Sequence, residues 1–280
     1  MRSRVVFAAA LVGLLAGLTT PAVAQLPLTS LKASGQTVSP AYEGWYKNAD
    51  GTYTLSFGYY NRNTTEVVDI PIGKNNFVTP GAQNQGQPTQ FQPRRHWGVF
   101  GVKVPADFGN KEVVWTLTFR DATYAIPGTL HANWQIDALE GEASSGNTPP
   151  VLRFAETGPE GRGPLGVTAG PVAGVAGQPV TLTVWGKDDG KGAGSIATAG
   201  RGGTSAATTI TWFKHQGPGR VTFDPATGRI AAAGGQVTTR AIFSAPGDYI
   251  VRVRANDSAV ASAGHSQCCW SNGFLKVTVK

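Results

Sequence analysis

The chain has 280 residues, only 15% of them charged, with 37 glycines, 18 prolines and a single methionine. That composition favours strands and turns, and no stretch beyond the first two dozen residues keeps apolar side chains at helical spacing for three turns, which excludes a helical bundle. The formal charge of +7 forms no basic run: residues 25–145 carry nine basic against ten acidic side chains, residues 146–280 thirteen against seven. With no basic stripe and no recognisable binding motif, nucleic acid is not an expected partner.

Residues 1–24 read as an export signal. Arg2 and Arg4 precede an apolar run from Val5 to Leu18, Thr19-Thr20-Pro21 breaks it, and Ala22-Val23-Ala24 offers the small residues a signal peptidase reads. The apolar run is too short to cross a bilayer and stay. A mature chain starting near Gln25, periplasmic or secreted, is expected, with no membrane span once the leader is removed.

The first half, 25–140, reads as strands joined by turns. Tyr42 to Tyr46 leads into Asn48-Ala49-Asp50-Gly51, whose Asp-Gly pair suits a tight hairpin. Thr52 to Tyr59 alternates, with Tyr53, Leu55, Phe57 and Tyr59 on one face. Further strands are expected at Glu66–Ile70, Gly98–Val104 and Val113–Arg120. Asn75 to Arg95 is long, polar and rich in Gly, Pro and Gln, the signature of a binding loop or a mobile one. Gly141 to Pro150 is small, polar and ends in two prolines, a linker.

The second half, 151–280, continues with strands expected at Pro179–Trp185, Thr208–Lys214, Gly219–Phe223, Gln236–Phe243, Asp248–Asn256 and Phe274–Val279, with a Gly/Ala/Ser/Thr loop at Lys187–Ala207. Ser244-Ala245-Pro246-Gly247-Asp248-Tyr249 followed by Ile250-Val251-Arg252-Val253-Arg254-Ala255-Asn256-Asp257 resembles the late hairpin of polycystic-kidney-disease-type and related immunoglobulin-like domains of secreted bacterial proteins. Thr209-Ile210-Thr211-Trp212 resembles the strand that carries that family's core tryptophan, and Phe274 to Val279 its closing strand. The resemblance covers roughly residues 150–280 and implies a buried Trp212 and a Tyr249 whose hydroxyl meets backbone. The insertion at Lys187–Ala207 departs from the pattern. The first half resembles secreted bacterial β-domains to which no activity attaches. The expected fold is all-β: two β-sandwich domains, the second immunoglobulin-like. Alternation along the strands assigns Arg252 and Arg254 to a solvated sheet face.

Chemistry-bearing residues are sparse. Cys268 and Cys269, three residues after His265, can form a vicinal disulfide, remain free or pair between chains, or bind metal; export favours the first. Asp188-Asp189 and Asn256-Asp257 both follow predicted strands and can meet at one end of the second sandwich, as a calcium site or as solvated loop acids. Among the many aromatics of the first half, Tyr46, Tyr60 and Trp97 oppose core positions and are candidate ligand-binding rings. Neither the zinc-protease helix motif, the nucleophile elbow nor a phosphate loop is present. Arg94, Arg95, His96, Asp107, Asp121 and His131 supply acid–base groups whose spacing selects no site.

The leading expectation is an exported, non-catalytic interaction module with no cofactor, binding an extracytoplasmic protein, glycan or envelope component. A hydrolase-type enzyme with its site in the first domain, lined by His96, Arg94 or Asp121, and a structural spacer are the alternatives.

Overall fold

A computed structural model describes residues 31–136, 146–191, 207–257 and 270–280. The leader, residues 141–145 of the linker, most of the glycine-rich insertion, and His265, Cys268 and Cys269 lie outside the described residues.

In the first half, β1 (Val38–Lys47), β2 (Tyr53–Asn61), β3 (Val68–Asp69), β4 (Asn76–Thr79), β5 (Gln90–Phe91), β6 (Arg94–Val104), β7 (Val113–Phe119) and β8 (Ala122–Gly128) precede one 3-10 turn, Ala132–Trp134. Antiparallel sheets β1-β2-β6 and β4-β7-β8 enclose a common core, to which the short β3–β5 ladder adds Val68 and Phe91. Asp50-Gly51 turns the β1–β2 hairpin, with Gly51 at φ 83°, a value L-residues rarely adopt. The strict alternation of β2 then sends Leu55, Phe57 and Tyr59 inward. There Phe57 stacks on Phe100 at 5.3 Å, and Trp115 meets Phe100 edge-on at 4.9 Å. The Trp115 indole is fully buried and donates to Asn76 Oδ1 at 3.0 Å, so its one polar group is satisfied.

The second half contains β9 (Val151–Arg153), β10 (Val167–Gly174), β11 (Pro179–Lys187), β12 (Thr208–Gln216), β13 (Val221–Asp224), β14 (Thr227–Ile230), β15 (Gly235–Phe243), β16 (Gly247–Asn256) and β17 (Trp270–Val279). They form two sheets, β10-β17-β16-β12-β14 and β13-β15-β11-β9, around a second core. This is an immunoglobulin-like sandwich. Trp212 sits in its core, 3% exposed, with its ring 6.4 Å from Phe223. The Tyr249 hydroxyl donates to the Ala245 carbonyl at 2.7 Å and accepts from Gly219 N at 3.0 Å, a tyrosine corner at the start of the penultimate strand. Gly217 (φ 136°) must be glycine, because a Cβ there would enter the Tyr249 ring. Strand β10 was hidden in the sequence by its run of small residues, Val167-Thr168-Ala169-Gly170-Pro171, and pairs parallel to β17.

Lys32 to Lys280 forms one contact unit containing both cores. The outer face of the β16–β17 region is covered by the first half, which corrects the assignment of Arg252 and Arg254 to solvent. Arg252 is 2% exposed, and Arg254 is half-buried. Asn272, fully buried, donates to the Gly98 carbonyl at 2.5 Å and the Pro164 carbonyl at 3.0 Å, and its Oδ1 accepts from Arg252 at 3.2 Å. Phe274, from β17, packs against the first core. The long polar segment 75–95 is bonded to β12. Thr89 N donates to the His215 carbonyl at 2.8 Å, His215 Nε2 meets the Gly86 carbonyl at 2.7 Å, and Gln216 Nε2 donates to the Gln87 carbonyl at 2.7 Å. The segment serves an internal contact: its backbone groups are bonded by the side chains and backbone of β12, and Asn84 adds a side-chain bond to Gln216.

Candidate functional site

The segment that joins the halves also walls a cleft of about 550 Å³. Asp69, Pro71, Ile72 and Thr89 contribute from the first half, and Lys214, Arg220 and Asp248 with the Gly217-Pro218-Gly219 turn from the second. Lys214 is nearly buried at the end of β12, and its Nζ lies 2.9 Å from the more exposed Asp69 carboxylate. Arg220 and Asp248 are exposed on the opposite wall. A second cavity of about 330 Å³ shares Gln216 and Asp248 with the first and continues along Ile250, Lys276 and Thr278. Gln216 is fixed between the two by Asn84 and Gln87, and Thr278 Oγ1 donates to Asp248 at 2.8 Å. Charges of both signs line the two cavities, and Gln216, which they share, is held by hydrogen bonds across the junction. Such a surface can take a polar, extended ligand by ion pairing and hydrogen bonding. Among the described residues that line it there is neither a histidine nor a cysteine.

The sequence-selected residues are dispersed. Tyr46 is 2% exposed, its hydroxyl accepting from Leu165 N at 3.2 Å, and burial pushes its pKa up to about 12. It therefore presents no ring to a ligand. Tyr60 and Trp97 are half-buried, and each has a guanidinium over a ring face, Arg94 at 5.3 Å and Arg95 at 3.7 Å. Arg95 is itself paired with the buried Glu43 at 2.7 Å. Most other aromatics of the first half are core. Trp134 is the large exposed ring, 49% accessible, tilted 55° from Tyr42, and Trp45 meets Tyr53 at 84°. These pairs offer no coplanar platform for a sugar face.

The acid–base residues do not assemble. His96 is stacked on Tyr59 at 5.0 Å and edge-on to Phe213 at 6.0 Å; burial, with Arg252, Arg254 and Arg95 nearby, pushes its pKa down to about 3. It is a neutral packing group at any ordinary pH. Asp121 is exposed in the β7–β8 turn, and Asp107 follows the far end of β6 from Arg94, about 33 Å along the strand. His131 caps the 3-10 turn by accepting from Asn133 N.

The acids of the second sandwich do meet. Burial, then the charges of Asp257 and Asp189, raises the Asp188 pKa to about 6. Asn147 Nδ2 donates to Asp257 at 2.8 Å, and Asp189 accepts from Thr148 N and Oγ1. Among the described residues no group of His, Cys, Asp and Glu has the arrangement of a metal site. Nothing in the sequence marked Lys214, Gln216 or Arg220; the one local signal was the Gly-Pro-Gly turn that follows β12.

No family model matches the chain, and no curated relative matches it. Among solved structures it is similar to the D0–D1 domain of intimin, at 10% identity over 86% of this chain and 97% of that one, with a TM-score of 0.26. It is also similar to PapD-like domain 7 of human CEP192, at 8% identity over 48% and 87%, TM-score 0.29. Domains 4 and 5 of the S-layer protein SbsC match at 12% identity over 61% and 65%, TM-score 0.23. At these scores the likenesses carry no functional argument. Among the described residues no helix is long and apolar enough to cross a membrane.

Proposed function

We propose that this chain is an exported, non-catalytic interaction module that grips a polar, extended stretch of an extracytoplasmic protein in the cleft between its sandwiches. The observation that carries this reading is the cleft itself. Both halves contribute to its lining, Gln216 and the buried Lys214 are fixed there by bonds to the first half, and the exposed Arg220 and Asp248 offer charges of opposite sign. A preorganised, mixed-charge trough favours a polypeptide over a sugar, which stacks on ring faces, and such charges confer specificity more than raw affinity. Export rests on residues 1–24, and the assignment of the second sandwich to the polycystic-kidney-disease type rests on the Ser244–Asp257 hairpin. The buried, neutral His96 disfavours the hydrolase alternative in its proposed place.

A photo-crosslinking amino acid at Arg220 or Pro218, introduced into the exported protein in its native compartment, is expected to capture a protein in discrete adducts. The same group at Asp121, in the distant β7–β8 turn, should not. Equal capture from Asp121, or adducts only from Tyr60 and Trp97, would overturn the assignment.

A further inference from the structure

Away from the cleft, the junction holds two positive charges, one buried and one half-buried, with no carboxylate of the described residues beside them. Arg252 and Arg254 are alternate residues of β16 and so share a face. Both guanidinium groups lie over the Phe213 ring, at 4.7 and 5.4 Å. Among the described residues Arg252 has one hydrogen-bond partner, the neutral Asn272 Oδ1, and Arg254 Nε is buried with none. Facing them from the first half are His96, a neutral ring whose Nε2 donates to the Pro93 carbonyl at 3.2 Å, and Tyr59, whose hydroxyl accepts from Gln92 N. Tyr59 acts electrostatically on both guanidinium groups and Arg254 on that of Arg252; no carboxylate of the described residues is among the groups that do. Burial and Arg254 together press the Arg252 pKa down to about 9, the mark of a charge held without a counter-ion.

A cation removed from water without a partner is strongly unfavourable, and so is a buried donor left unbonded. The ring of Phe213 offsets part of this. It does not supply the acceptor that Arg254 Nε needs, nor does it neutralise two adjacent like charges. Arg254 is only half-buried, so the pair is reached from the edge of the junction, with Arg254 at the rim and Arg252 beneath it.

We infer that Arg252 and Arg254 form a binding site for a small inorganic anion that fastens the two sandwiches together. Arg254 Nε donates to the anion, and the guanidinium of Arg252 supplies charge from below. Guanidinium groups suit this role because they stay charged and present several donors in one plane. The site is separate from the cleft and does not depend on what the cleft binds.

The test is thermal unfolding of the exported protein at constant ionic strength, with sodium gluconate replaced stepwise by sodium chloride. A small anion that binds only the folded state raises Tm in a saturable way, by about 3–5 °C at ten times its dissociation constant, whereas the bulky gluconate does not enter. Arg254→Gln should abolish the chloride dependence, whatever it does to the starting Tm. Wild-type crystals grown in bromide should show an anomalous peak within hydrogen-bond distance of Arg254 Nε. A chloride response of the same size in Arg254→Gln, or none in the wild type, would overturn the proposal. So would bromide crystals without a peak there.

Discussion

Replacing Asn272 with alanine tests whether the junction makes the two sandwiches one cooperative body. The side chain is fully buried and bonded at both ends: its amide nitrogen donates to the Gly98 carbonyl of the first half and to the Pro164 carbonyl, with a longer bond to the Val99 carbonyl at 3.4 Å, and its oxygen accepts from Arg252. Truncation leaves two carbonyls and one guanidinium proton without partners in a site too tight to admit much water. At about 1–3 kcal/mol for each unsatisfied buried group, with the charged one near the top, and allowing for relaxation, the loss is on the order of 3–5 kcal/mol. The assay is urea unfolding followed by two probes, near-ultraviolet circular dichroism and tryptophan fluorescence, each recorded for wild type and variant. Wild type should give coincident transitions. The variant should unfold at lower urea, with transitions that separate as the halves uncouple. A loss below about 1 kcal/mol with transitions still coincident would show that the junction is held by something other than this network.

Trp212→Ala removes a ring buried among both sheets of the second sandwich, and should cost on the order of 3–5 kcal/mol in chemical denaturation; a cost under about 1 kcal/mol would contradict its place in the core. His215 is buried against Phe274, and burial together with Arg252 holds its pKa down at about 3, as with His96. The unfolded chain therefore takes up protons that the folded one refuses, so their contribution is intact above about pH 6.5 and is lost as pH falls toward 3. His215→Gln should flatten that acid limb in a pH series of melting temperatures. Asp188 acts in the opposite sense, since its raised pKa favours the folded state at low pH and penalises it as pH rises from about 3.8 to 6. Asp188→Asn should thus stabilise the protein at pH 7, by roughly 1 kcal/mol after allowance for partial solvation, and leave stability at pH 3.5 nearly unchanged.

Much of the fold was legible because strand alternation is a local signal. Leu55, Phe57 and Tyr59 of β2 and Val251, Val253 and Ala255 of β16 all reached the interior that their spacing assigned them. The same alternation placed Arg252, Arg254 and Tyr46 on outer faces correctly and then misjudged what those faces meet. Each is covered by a segment distant in sequence: the arginines by the first half, Tyr46 by the loop carrying Leu165. Pairing between remote outer faces leaves no periodic mark. The segment 75–95 shows the limit from the other side, since a polar, glycine-rich composition suits a loop bonded to β12 as well as it suits one that meets solvent. The cleft followed from that docking and was therefore invisible in the sequence, although Asp188, Asp189 and Asp257 came together as their positions after two strands implied.

Amide hydrogen exchange on the exported protein, with and without the protein fraction of its own compartment, bears most directly on the proposed role of the cleft. The account predicts new protection confined to Gln216–Arg220, to residues 69–72 and around Asp248. Protection centred on Tyr60 and Trp97, or on the β7–β8 turn, with the cleft unchanged, would contradict it.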